Sequence, residues 1–169
     1  MNATPIIQEL SRNREVFKTL LTGLTDQEYL WKPKPEKWCL LEIICHLYDE
    51  EREDFRARTK HLLENSKEPF ISIDPTGWVL VREYIKQDFT YTLNKFLRER
   101  NQSVEWLQSL HSPKWDNTYF HPKLGKMTAK LFLSNWLAHD YIHIRQILKI
   151  KFGYLQQLSN ETLDYAGVW

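Results

Sequence analysis

Net charge, long apolar runs and cysteine are all scarce in this sequence, and each shortage excludes something. Its 23 Lys and Arg balance 22 Asp and Glu, leaving a formal charge of +1. So even a balance implies neither a basic nucleic-acid surface nor an acidic solvating tail, and no Arg/Lys run suggests one locally. No contact with nucleic acid is expected. No stretch approaches the roughly 18 consecutive apolar residues of a membrane span. The N-terminal "MNATPIIQELSRNREVF" lacks an early basic region and meets Glu9 before any long apolar run, so no targeting signal is read there. A soluble cytoplasmic protein without a membrane partner is the expectation.

The two cysteines, Cys39 and Cys45, lie in a helical pattern. Six residues of helix separate them by about 9 Å along the axis, beyond the roughly 7 Å reach of a disulfide. Reduced structural thiols are expected. Internal repeats and low-complexity tracts are missing too, and strand signals are few. At 169 residues, 42% of them apolar and 14% aromatic with seven Trp, the chain suits one domain, 1–169, with a sizeable core.

Four helical patterns are present instead. The first runs from about Pro5 to Leu24, with Thr4 as its cap and Ile6, Leu10, Phe17, Leu20 and Leu24 inward; Asn13 fills a place on that stripe. Gly23 ends it, and Thr25 with Glu28 can form a capping box for a short turn. Pro33 and Pro35 make the next connection rigid. A second helix spans about Trp38 to Asn65, with Leu40, Ile43, Ile44, Leu47 and Phe55 apolar and "DEEREDFRAR" read as a solvated face. Residues Ser66 to Thr76 have no helical period and exceed what a tight antiparallel turn needs, so they can cross the end of a bundle. The third pattern covers about Gly77 to Leu110, its inward positions including Ile85, Phe89, Leu93, Phe96, Val104, Leu107 and Leu110, with a bend expected near Gln102 because Arg100 and Asn101 interrupt the stripe. A loop with Trp115, His121 and Gly125 follows. Thr128 can cap a fourth helix reaching about Phe152, and the half-apolar tail is expected to pack back on the others. Four amphipathic helices with this many Leu, Ile, Phe and Trp argue for an all-α four-helix bundle.

Within "NWLAHDYIHIRQI", His139 and His143 are four residues apart on a stripe continued by Phe132, Trp136, Gln146 and Ile150. They are either two core histidines with hydrogen-bond partners or half of a metal site. His46, two turns into the second helix between Ile43 and Leu47, can supply a third imidazole from a neighbouring helix. Three neutral imidazoles with one position open is the ligand set of a reactive metal.

At this point "PEKWCLLEIICHLYDEE" resembles the Trp-x(7)-His signature of the DinB/YfiT-like family of metal-dependent four-helix-bundle proteins. "HPKLGKMTAKLFLSNWLAHDYIHIRQI" resembles its second signature, Gly-x-x-Thr followed by His-Asp-x-x-His-x-x-Gln, and the likeness spans nearly the whole chain. The resemblance implies an up-down-down-up bundle with a long crossover between the second and third helices. It also implies a divalent metal ion held by His46, His139 and His143, and commonly a homodimer. Zinc, nickel, iron and copper all suit imidazole.

Neighbouring residues have alternative readings. Glu50 is a candidate catalytic base or fourth ligand, or a solvated glutamate. Asp140 can anchor a ligand's free N–H, or make a cap or surface pair. Gln146 can line a pocket or join helices; Trp31 and Trp38 can wall the site or simply pack; His121 can reach a pocket mouth or do nothing specific. The family resemblance further implies activation of a small thiol or water for attack on a small electrophile, in an S-transferase or hydrolase type of reaction, with a low-molecular-weight thiol among its small-molecule partners. A non-catalytic, stress-linked metal-binding scaffold is the other reading, and purely structural histidines a third.

Overall fold

The computed structural model describes residues 2–167. Helix α1 (Thr4–Leu21) starts without a side-chain cap, Thr4 lying inside the first turn rather than before it. Its buried stripe is Ile7, Leu10, Asn13, Phe17 and Leu21. Ile6, Leu20 and Leu24 flank that stripe half-buried, so the inward face is turned slightly from the expected one. The Thr25–Glu28 capping box forms on the short helix α2 (Asp26–Leu30).

The second long rod consists of α3 (Leu40–Asp49), a π-helical stretch (Glu50–Arg56) and α4 (Ala57–Asn65). It starts two residues later than expected because Cys39 takes the cap position, its backbone N–H donating to Glu42. The π stretch was not anticipated. Its wider turn brings Glu50, Glu51 and Phe55 inward together. The acidic run is therefore not a solvated face: Asp49, Glu50 and Glu51 are all buried.

Irregular residues 66–74 carry the chain over the end of the bundle to α5 (Pro75–Val81) and a 3₁₀ turn (Tyr84–Lys86). The break in the third pattern falls here, at Glu83 with φ of 46°, and not near Gln102. Helix α6 (Phe89–Ser109) runs through Arg100 without interruption, and Ile85 is exposed. A hairpin of β1 (Thr118–His121) and β2 (Gly125–Thr128) replaces the expected loop, with Thr118 opposite Thr128 and His121 opposite Gly125. Thr128 accepts from the Leu131 N–H and caps α7 (Ala129–Ser159), which continues a full seven residues beyond Phe152. Among the described residues after it, 160–167, all but the half-buried Leu163 are exposed, Tyr165 entirely so, instead of packing back; Val168 and Trp169 of the expected tail lie outside the described residues.

Cross-helix pairs fix the topology. Tyr48 meets Lys95, Glu51 meets Arg100 and Arg56 meets Ser103, so the second rod and α6 run parallel. Phe17 meets Phe96 and Leu10 meets Arg100, so α1 opposes α6. His46 meets His143 and Phe55 meets Trp136, so α7 opposes the rod. The result is a four-helix bundle with up-down-down-up order and a long crossover between its second and third members. Two apolar cores fill it, one around Phe17, Ile44, Phe96 and Ile147 and one around Leu10, Leu62, Leu107 and Leu133.

A polar layer lies between those cores. Arg100, 1% exposed, donates to both oxygens of Glu51 and to both of Asp140, at 2.6–3.0 Å. Asn13 also donates to Asp140 (3.1 Å), and the Trp136 indole donates to Glu51 (2.8 Å). Every bundle helix thus contributes at least one residue to a single hydrogen-bonded cluster, α7 two of them. Burial works against the Arg100 charge, but the two carboxylates outweigh it and hold the guanidinium firmly protonated.

Candidate metal centre

The buried side of α3 and the inward stripe of α7 face one another just beside that layer. Helical periodicity stacks His139 and His143 on one face. Their Nε2 atoms are 3.1 Å apart, and His46 Nε2 on the opposite helix lies 3.3 Å from that of His139. Among the described residues these three form the His/Cys/Asp/Glu group able to converge on one ion, with ligand atoms all within 4.8 Å of one another. Four-coordinate zinc with bonds of about 2.0–2.1 Å would set nitrogens about 3.3–3.4 Å apart. The observed spacings fit that arrangement.

The rings are kept neutral. Burial, reinforced by His143, pushes His46 down to about 3. Burial together with the other two histidines and Arg100 pushes His139 to about 2. Burial lowers His143 to about 4, with nearby Gln146 opposing it. Each ring therefore keeps a lone pair at neutral pH. The Nδ1 atoms of His46 and His143 are buried with no hydrogen-bond partner. With the outer nitrogens so placed, the three inner ones converge on each other, and lone pairs gain nothing from mutual approach. A divalent cation would satisfy all three.

Aromatic rings surround the cluster: Trp38 is 5.0 Å from His46 and Phe55 is 5.0 Å from His139, centroid to centroid. His139 is the least buried of the three, so one side remains accessible. Glu50, one turn past His46, is buried but stands outside the converging group. Burial first, and Asp54 next, push its carboxyl up to about 8.

Other expected contributors lie elsewhere. Asp140 serves Arg100 and Asn13 and no histidine, because it points from α7 into the polar layer. Trp31 packs against the far end of α7, donating to Gln157 and lying near Tyr154. His121 caps the hairpin turn, its Nδ1 accepting from the Lys123 and Leu124 N–H groups. Strand β2 and nearly three turns of α7 separate that turn from His139. Gln146 is half-buried beside His143, opening onto a groove it shares with Trp38. Both cysteines are buried and free. Sequence reasoning missed Phe55 as a wall of the site; its place in an apolar stripe gave no sign that the π turn would aim it at His139.

Comparison with known proteins agrees with this fold. The model of the DinB superfamily matches residues 9–147. No curated protein matches the sequence. Among solved structures, YfiT from Bacillus subtilis superimposes with a TM-score of 0.78 over 95% of this chain and 89% of that one, at 17% identity. It is described as "a probable metal-dependent hydrolase with an unusual four-helix bundle topology". At that identity the likeness shows a common fold.

Proposed function

Since the chain belongs to the DinB superfamily, we propose that it is a metal-dependent enzyme in which His46, His139 and His143 hold one divalent ion, zinc, nickel or iron. The observation that supports this most is the convergence of three neutral imidazoles, two buried and one half-buried, with Nε2 spacings of 3.1 and 3.3 Å. A bound divalent ion supplies Lewis acidity and brings the pKa of a ligated water or thiol towards neutrality. The reaction on this reading is transfer of a small thiol, or of water, to a small electrophile: S-transferase or hydrolase chemistry.

The protein's own groups have separate tasks. The three imidazoles present lone pairs without needing to lose protons first, since burial has already removed them. Phe55 and Trp38 shield the cluster from bulk water on two sides, which strengthens charge interactions inside. Glu50 carries a proton at neutral pH and is the candidate group for exchanging it with substrate. A homodimer is part of the proposal, supported by the apolar Tyr141, Ile142, Leu148 and Leu155 left exposed along α7. Sedimentation velocity checks it, and a monomer at all accessible concentrations would remove it.

The cobalt derivative tests the reading. Cobalt bound at one equivalent should show the intense visible bands of a four-coordinate site, and they should shift when 2-mercaptoethanol is added. Stoichiometric cobalt with no response to thiols, other anions or pH would favour a closed, non-catalytic scaffold.

A further inference from the structure

A groove of ≈ 510 Å³ lies between the Pro33–Trp38 connection and the second half of α7. Its size is that of a small-molecule site. Trp38, Ile150, Phe152 and Gly153 make an apolar floor, while Lys34, Lys37 and Lys149 stand around it. No Asp or Glu lines it, and none of the three lysines makes an ion pair among the described residues. By contrast, nearby Lys32 is held by Glu42 at 2.7 Å. In a chain of net charge +1, three unpaired ammonium groups around one apolar groove repel each other and are relieved by an anion.

The groove is built, not incidental. Gly153 sits inside the long helix α7, where glycine costs about 1 kcal/mol relative to alanine. A Cβ there would come within 2.8 Å of the Trp31 ring. The glycine lets the outer edge of the Trp31 ring come close against α7, and the Trp31 N–H bond to Gln157 pins the connection that carries Lys34 and Lys37. The groove adjoins the histidine cluster through two of its lining residues: Trp38 packs on His46, and Gln146 follows His143 by three residues on α7.

From this juxtaposition we infer the substrate class. The groove binds an organic anion with an apolar body, its acidic group among Lys34, Lys37 and Lys149 and its body on Trp38, so that its other end reaches the histidines. This rests on the metal-site reading for the chemistry, but not for the binding.

Phenyl phosphate is the probe, with benzyl alcohol as its neutral counterpart, both titrated into ¹⁵N-labelled protein. The titrations are run on the protein as purified and on His139→Ala, which separates contact with lysines from ligation to an ion. Phenyl phosphate should move the Trp38 indole and Gln146 side-chain signals and bind more tightly than benzyl alcohol. The triple variant Lys34→Gln/Lys37→Gln/Lys149→Gln should lose about tenfold in affinity in both backgrounds, as expected for three exposed charge contacts. A control triple at the hairpin end, Lys114→Gln/Lys126→Gln/Lys130→Gln, should change it little. Equal loss in both triples, unchanged binding in the groove triple, or equal affinity for the neutral probe would overturn the inference. Metal content of the same samples reports separately on the ligands: lysine-dependent binding in a protein that never holds metal would retain the groove and dismiss the metal site.

Discussion

Replacing Arg100 by methionine removes the cation that joins all four helices while keeping most of its volume. The loss can be worked out from the cluster. Three guanidinium hydrogen bonds to Glu51, two to Asp140 and one to the Leu10 carbonyl disappear. Glu51 retains only the Trp136 indole and Asp140 only the Asn13 amide, and both carboxylates remain almost fully buried. Breaking a buried ion pair from one side costs about 3–5 kcal/mol, chiefly through the uncompensated charge left behind. Urea unfolding at pH 7 should show the midpoint falling by about 2 M at an m-value near 2 kcal/mol/M. The deficit should shrink at pH 4–5, where the orphaned carboxyls can take up protons; burial already biases Asp140 that way. Adding Glu51→Gln and Asp140→Asn to Arg100→Met should recover much of the loss at pH 7. A destabilisation below about 1 kcal/mol, or one that does not depend on pH, would refute a charged buried cluster as the link between the helices.

Glu50→Gln should stabilise the protein in alkaline solution. The folded carboxyl, raised from 4.5 to about 8, keeps its proton where the unfolded chain has released it, so stability is full below about pH 4.5 and falls as pH rises to 8. Thermal unfolding should therefore favour the variant by about 1–3 kcal/mol at pH 8 and by almost nothing at pH 4; equal stability at both would contradict the burial of a protonated Glu50. Burial raises Cys39 to about 11 and Cys45 to about 12, so neither thiol should react with Ellman's reagent at pH 8 in the folded protein, while both should react in guanidinium. Rapid labelling in the native state would show an opening that the closed bundle does not contain.

What could be read from the sequence was whatever depends on local periodicity. The i,i+4 spacing of His139 and His143, the caps at Thr25 and Thr128, and the non-helical crossover all follow from neighbouring residues, and all are present. What could not be read depends on distant partners. Arg100 looked like an interruption of an apolar stripe because its two carboxylates lie 49 and 40 residues away. Asp49, Glu50 and Glu51 looked solvated because a π turn cannot be distinguished from an α turn in a charged run. That turn is what buries both Glu50 and Glu51 along with Phe55. Asp140 was a reasonable partner for a histidine by sequence adjacency, but one residue along a helix is a rotation of about 100°, and here it points to the polar layer. The meeting of His46, His139 and His143 was legible, but the walls around them were not.

Metal content of the purified protein beside His46→Ala and His139→Ala is the most direct test of the three-histidine centre. The wild-type chain should hold about one equivalent of a divalent ion. Removing one of three ligands should weaken it at least about a hundredfold, leaving either variant nearly metal-free after dialysis. Both variants should remain folded, since neither residue enters the Arg100 cluster. Metal content unchanged in both, or a wild-type protein that takes up no divalent ion when supplied with zinc, nickel or iron, would contradict the assignment.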